Sequence, residues 1–253
     1  MLGMKTSLFQ PFMVRYYEVD AGGRLALEHL CNYMQQIAGQ HAEKLGVGFG
    51  RLHEIGLTWV LARWQVSLEG QLPEAGQEVV LETWPSAVER LQCRREFILR
   101  EAGGEILARG GSWWVVVNTA TFRLERVPAL IMDLYTGRAE FALEELALRL
   151  PQVREGQAAM SAAVRWSDID VNQHVNNANY LDWVLQSAPG AGDKTRLSEG
   201  LQRFEINFKS EARLGDVLEA RCAALPGLDN AFAHSVYNLA DGREVVRAFT
   251  QWG

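Results

Sequence analysis

Val164-Arg165-Trp166-Ser167-Asp168-Ile169-Asp170-Val171-Asn172-Gln173-His174-Val175 lies against Val14-Arg15-Tyr16-Tyr17-Glu18-Val19-Asp20-Ala21-Gly22-Gly23-Arg24-Leu25 at a constant offset of 150. Val, Arg and Asp recur unchanged, and Tyr/Trp, Glu/Asp, Val/Ile and Leu/Val are conservative pairs. A repeat of this kind sets the architecture before any motif is weighed. The flanks repeat as well. After the first copy Leu27, Leu30, Cys31, Met34, Ala38 and Leu45 recur at helical spacing, which predicts one long helix with an apolar stripe. Gly46 and Gly48 can stop it, because glycine accepts the left-handed conformation of a helix C-terminus. After the second copy Ala178, Leu181, Val184, Leu185 and Ala188 repeat the pattern up to Pro189-Gly190.

Strands follow each helix. Trp64, Val66 and Leu68 alternate with polar residues, as do Phe204, Ile206 and Phe208. Leu72–Val79 and Arg213–Val217 read as turns that launch further strands, and Leu91–Leu99, Ile106–Asn118, Ala231–Leu239 and Glu244–Trp252 as strands. Asp241-Gly242 marks a hairpin between the last two. Each half is thus expected to hold a strand, a long helix and a run of antiparallel strands. The fold class is α+β, with a curved antiparallel sheet wrapped around a helix, twice. Residues 1–140 form the first unit, 141–160 a charged connection with a short helical piece at Leu143–Leu150, and 161–253 the second unit.

Bulk composition narrows the function. A chain of 253 residues, 48% hydrophobic and 22% charged, is ordinary for globular protein and excludes a disordered or collagen-like one. No apolar run approaches the roughly 20 residues of a membrane-spanning helix, so no membrane partner is expected. The segment MLGMKTSLFQPF carries one lysine and no continuous apolar core, unlike a secretory signal. Cys31, Cys93 and Cys222 are sparse and form no CxxC pair, which fits a reducing, cytoplasmic setting and speaks against a disulfide framework or a zinc site. With a net charge of −6 and no basic run interleaved with aromatics, nucleic-acid binding is not expected.

The two copies differ where chemistry is possible. Asp20 matches Asp170, but Gly22 faces Asn172 and Arg24 faces His174. In an extended segment Asp170, Asn172 and His174 would project to one face. An imidazole titrates near neutrality and can serve as general base. An amide can polarise a carbonyl or hold a water, a carboxylate can orient either, and free N–H groups at the next helix start can receive an oxyanion. A polar turn capping the helix accounts for the same residues. Ser167 lacks the G-x-S-x-G context of a serine nucleophile. His29, His41, His53 and His234 are scattered and read as packing or surface residues, and Trp113-Trp114 as core or pocket lining.

At Asp168-Ile169-Asp170-Val171-Asn172-Gln173-His174-Val175-Asn176-Asn177-Ala178-Asn179-Tyr180-Leu181-Asp182-Trp183 the sequence resembles the C-terminal half of the acyl-acyl-carrier-protein thioesterases of plants and bacteria. Trp114–Leu124 resembles that family's W-V-x-x-N-x-x-T-R-R-L strand, with Phe122 in place of the first arginine, and Arg15–Asp20 its opening strand. The resemblance covers about residues 10–250. It implies a tandem double hotdog that releases fatty acid from acyl carrier protein, with no cofactor. It also implies site residues Asp170, Asn172 and His174, together with Glu211 from the family's Glu-Cys pair. Ala212 stands where the cysteine would be, which puts a Cys-His mechanism in doubt. The implied partner is acyl carrier protein bearing a phosphopantetheine-linked acyl chain, docking through basic residues such as Arg90, Arg94, Arg95, Lys209 and Arg213. An acyl tunnel lined partly by the first helix is implied too, in a monomer or homodimer. An acyl-CoA thioesterase and a non-catalytic acyl-binding hotdog protein are the rival expectations.

Overall fold

The computed structural model describes residues 7–135, 140–144, 150–156, 158–189 and 200–253. Strand β1 (Leu8–Met13) is followed by a 3-10 turn at Tyr16–Glu18, helix α1 (Leu27–Lys44) and a short α2 (Phe49–Glu54). Strands β2 (Leu57–Leu68), β3 (Glu78–Val88), β4 (Gln92–Glu101) and β5 (Ile106–Asn118) come next, then a two-residue β6 (Leu124–Glu125) and α3 (Ala129–Met132). The second half repeats the order: β7 (Ala158–Ala163), a 3-10 turn at Trp166–Asp168, α4 (Asn179–Gln186), β8 (Leu201–Phe208), β9 (Val217–Ala224), β10 (Ala231–Asn238) and β11 (Glu244–Trp252).

All strands join one sheet in the order β1-β3-β4-β5-β2-β8-β11-β10-β9-β7, with β6 on β5. The halves meet where β2 and β8 pair antiparallel, Arg63 opposite Asn207 through Ser67 opposite Arg203. Across this seam Arg63 Nη2 donates to Glu205 Oε2 at 3.0 Å. Helix α1 packs on β3, α4 on β9, β10 and β11, and the two helices touch each other. Two curved antiparallel sheets, each around its own helix and fused edge to edge, make a tandem double hotdog.

The repeat is written into the hydrogen bonds. Arg15 N donates to Glu18 Oε2 at 2.9 Å and Arg165 N to Asp168 Oδ2 at 2.7 Å. Leu25 N donates to Pro73 O at 2.8 Å and Val175 N to Ala212 O at 2.9 Å. The repeated segments are not the opening strands expected at Arg15–Asp20. Each is a 3-10 turn and a bridged loop, Val19 against Leu25 and Ile169 against Val175. The strand comes just before it, and β7 begins inside the span 141–160 read as connection and runs on to Ala163, pairing with β9 along its length. Of the helical piece expected at Leu143–Leu150, residues 145–149 lie outside the described residues.

Helix α1 buries Leu30, Cys31, Met34 and Ile37 completely, and each such aliphatic side chain contributes roughly 2 kcal/mol of burial. The helix stops as its glycines predict. Gly46 takes φ +75°, its N–H donates to Glu43 O, and Val47 N donates to Ala42 O, the paired bonds of a Schellman cap. The second helix is not long: α4 ends at Gln186, although Ala188 beyond it is still buried. At the Asp241-Gly242 turn Gly242 has φ +69° and its N–H donates to Asn238 O, closing the expected hairpin between β10 and β11.

Candidate active site

The loop from Asp170 to His174 is a closed turn and not an extended run. Asp170 N donates to His174 O at 2.9 Å, and Gln173 N donates to Asp170 O at 3.1 Å. Gln173 holds φ +64°, the place of Gly23 (φ +80°) in the first copy. Left-handed backbone costs a non-glycine residue roughly 1–2 kcal/mol, so the turn carries local strain one residue before His174. Asp170 drives it: Oδ1 accepts the backbone N–H of Asn172 at 2.8 Å and Oδ2 accepts its side-chain amide at 3.3 Å. Asp20 Oδ1 accepts from Gly22 N at 2.8 Å in the first copy. Asp170 therefore holds Asn172 directly and reaches His174 only through the backbone.

His174 projects from this turn to the loop after β8. Its Nε2 lies 3.0 Å from Glu211 Oε2, with the imidazole 27% and the carboxylate 43% exposed. Arg213 completes the group, Nη2 standing 2.6 Å from Glu211 Oε1 and 3.3 Å from His174 Nε2. One ring nitrogen faces both neighbours: carrying a proton it donates to Glu211, and without one it accepts from Arg213. Sequence reasoning placed Arg213 on a docking surface and missed this contact. Asn172 remains exposed beside the turn, with Asp170 and neither His174 nor Glu211 as its partner.

The first half fills the matching places differently. Arg24 bridges Glu74 and forms an ion pair with it at 3.4 Å, and its Nη1 donates to Leu72 O at 2.9 Å. Pro73 and Ala212 accept equivalent bonds, so Leu72 stands where Glu211 stands and Glu74 where Arg213 does. At these matched positions an acid stands beside an imidazole in the second half and not in the first, where the acid–imidazole neighbours are Glu28 and His29 on α1, 3.3 Å apart.

The residues after His174 run into the contact between the halves. Asn176 Oδ1 accepts from Ala178 N at 3.1 Å and from Gln35 Nε2 at 3.1 Å. Asn177 Nδ2 donates to Gln35 Oε1 at 3.2 Å. Gln35 also lines a cavity of about 200 Å³ with Ala38, Gly39 and Ala42 of α1, Trp59 and Trp114 of the sheet, and Tyr135 after α3. This cavity belongs to the first half, yet its Gln35 wall touches the segment leaving His174. Gln35 carried no sequence signal beyond being polar next to an apolar stripe.

Arg95 also lines the cavity and is 8% exposed, its Nη1 at 3.0 Å from His41 Nδ1 and 3.2 Å from Thr83 Oγ1. Burial pushes its guanidinium pKa down. Arg94 is equally hidden, paired with Glu96 at 2.6 Å and lying over the Trp113 ring at 4.8 Å. Both were expected on a docking surface, and both are interior groups. Arg90, Lys209 and Arg213 are exposed.

Comparison with known proteins accords with this geometry. The acyl-ACP thioesterase N-terminal domain family matches residues 5–135, and the acyl-ACP thioesterase C-terminal domain family residues 153–253. The chain belongs to the acyl-ACP thioesterase family. A palmitoyl-acyl carrier protein thioesterase of Arabidopsis thaliana, named as chloroplastic, is 32% identical over 96% of this chain and 63% of its own length. The chain thus spans less than two thirds of the curated plant relatives it matches. An acyl-ACP thioesterase from Bacteroides thetaiotaomicron superposes with a TM-score of 0.85 at 27% identity, covering 98% of each chain. The 12:0-ACP thioesterase from Umbellularia californica gives 0.82 at 28% identity, over 98% of this chain and 97% of its own. Among thioesterases of this family the present chain carries Ala212 after Glu211, and Ala212 is fully buried, its N–H donating to Tyr180 Oη at 2.9 Å. Phe122 is an exposed loop residue at φ +55°. No helix among the described residues is long and apolar enough to cross a membrane.

Proposed function

We propose that this protein hydrolyses the thioester of a fatty acyl chain on acyl carrier protein and releases the free acid. The observation that carries the reading is the His174–Glu211 contact in one half only, with the α1 cavity adjoining it through Gln35. Residues 1–140 act as the acyl-binding copy and 161–253 as the catalytic one, joined by 141–160. The acyl chain lies in the α1 cavity, which places the thioester carbonyl by the Asp170–His174 turn. His174 and Glu211 remove a proton from water as it attacks the carbonyl carbon. Asn172, held by Asp170, orients the carbonyl or the water. When the tetrahedral intermediate collapses, the C–S bond breaks and His174 returns a proton to the departing thiolate. A cytoplasmic setting goes with this reading and is supported by three free, buried cysteines.

The test is a panel of acyl groups, each offered on acyl carrier protein and on CoA, with free fatty acid measured. Faster release from the carrier protein is the expected result. Preference for CoA would make this an acyl-CoA thioesterase, and tight binding without release would make it an acyl-binding protein. Hydrolysis in ¹⁸O-water, under single turnover, tests water as nucleophile. Label appearing first in Glu211 would show that its carboxylate attacks.

A further inference from the structure

Glycine in a helix interior is destabilising relative to alanine, so it needs a reason. Two reasons are common: a positive φ, or a close approach that a Cβ would block. Gly110 of β5 has the second, because a Cβ there would meet Met34 Cε of α1 at 3.2 Å. Gly39 has neither. It lies inside α1, is itself exposed where the cavity opens, has no positive φ, and a Cβ built on it meets no atom within 4 Å. What it borders is the cavity of about 200 Å³, on the same helix face as Gln35, Ala38 and Ala42.

We propose that Gly39 is a specificity-determining residue: it keeps the α1 wall of the cavity open, and the room beside it is filled by the middle and far part of a long acyl chain. The proposal rests on the reading of this cavity as the acyl site. Gln35 holds the segment that follows His174, and Gly39 lies about 6 Å further along the helix at 1.5 Å per residue. A short acyl chain anchored at the site stops before Gly39, whereas a long one must pass it. The apolar wall offers Trp59, Trp114 and Ala42 to such a chain. A small residue at this point selects substrates by length and bulk, without touching the reacting atoms.

The experiment uses the full chain and the variants Gly39→Ala, Gly39→Val and Gly39→Leu, with hexanoyl- and hexadecanoyl-acyl carrier protein as substrates. Gly39→Ala should fold with an unchanged or raised Tm. Gly39→Leu should lose about tenfold or more in kcat/KM on the hexadecanoyl substrate, the scale of a misfitted methylene, and keep the hexanoyl rate within about twofold. Direct binding of free hexadecanoic and hexanoic acid, followed by calorimetry, should change in the same ratio. A chain-length ratio that stays flat across the three side-chain volumes overturns the proposal, as does equal loss on both substrates. Should Gly39→Leu not fold, Gly39→Ala and Gly39→Val decide by the same ratio. If the wild-type protein releases no fatty acid, the thioesterase reading fails while the binding series still decides the role of Gly39.

Discussion

His174 Nε2 and Glu211 Oε2 stand 3.0 Å apart although they come from different elements, the turn before α4 and the loop after β8. Val175 N, donating to Ala212 O at 2.9 Å, ties those two segments together next to the pair. In the first half the same backbone bond joins Leu25 to Pro73, but the side chains around it are Arg24, Leu72 and Glu74. Duplication kept the scaffold and changed the chemistry.

This contrast separates chemistry from architecture. His174→Ala should lower single-turnover hydrolysis by about 10²–10⁴-fold, the usual range for general acid–base catalysis, with little change in Tm. Arg24→Ala should do the reverse, since it breaks a bond to Leu72 O and the Glu74 ion pair. A guanidinium also remains protonated at neutral pH and cannot act as base. Single-turnover measurement with enzyme in excess isolates the chemical step. Equal losses of that step in both variants would mean that the first half takes part in it.

Glu211 is the second test. Both of its oxygens are engaged, Oε2 by His174 and Oε1 by Arg213. Glu211→Ala leaves His174 without its acid and Arg213 without its carboxylate, and turnover should fall at least as far as in His174→Ala. Ala212→Cys restores the residue the family resemblance expects and should be tolerated. Full activity in a folded Glu211→Ala protein would remove Glu211 from the mechanism.

Much of the fold was legible because its signals are local. The apolar stripe of α1, its stop at Gly46 and the Asp241-Gly242 hairpin depend on neighbouring residues only. The outermost strands were not legible for the same reason. β1 contains Pro11, a residue that strands accept mainly at an edge, and β7 reads Ala-Ala-Met-Ser-Ala-Ala without an apolar alternation. Their pairing with β3 and β9 is a tertiary event. At the site the residue types were legible and the shape was not. Asp-x-Asn-x-His suits an extended run as well as a turn, and Gln173 at φ +64° decides for the turn. Arg94 and Arg95 looked like surface charges because their partners, Glu96 and His41, are visible only in three dimensions.

Burial of Arg94 redirects the docking prediction. An acidic carrier approaching a chain of net charge −6 needs local positive charge. Arg90 and Lys209 are exposed and lie outside the His174–Glu211 group. Arg90→Glu with Lys209→Glu should raise KM and leave kcat nearly unchanged, with the effect fading as salt is added. Arg94→Glu should instead prevent folding, since it puts a carboxylate against buried Glu96, and breaking such a buried pair costs about 3–5 kcal/mol. A KM indifferent to salt in the wild-type protein would discard carrier docking by charge.

The last prediction concerns His234, fully buried on β10. Ser187 Oγ donates to Val184 O at 2.7 Å, so it can accept only, and it lies 2.9 Å from His234 Nδ1. The proton of the neutral ring is therefore on Nδ1. Nε2, 2.8 Å from Thr250 Oγ1, accepts the threonine hydroxyl. Charging the ring means burying a cation, and desolvation pushes its pKa down to about 3, against an ordinary value near 6.5. The unfolded chain binds this proton below about pH 6.5 and the folded protein does not until about pH 3. Stability is thus complete above 6.5 and falls as pH drops through that window, by about 1.4 kcal/mol per pH unit at full slope. Carboxylates also titrate over part of this range, so the readout is a difference. His234→Gln should be less stable than the wild type at pH 7 but lose less on acidification from pH 6.5 to 4.5, measured by urea unfolding at each pH. Parallel stability curves for the two proteins would show that the His234 proton has no part in acid unfolding.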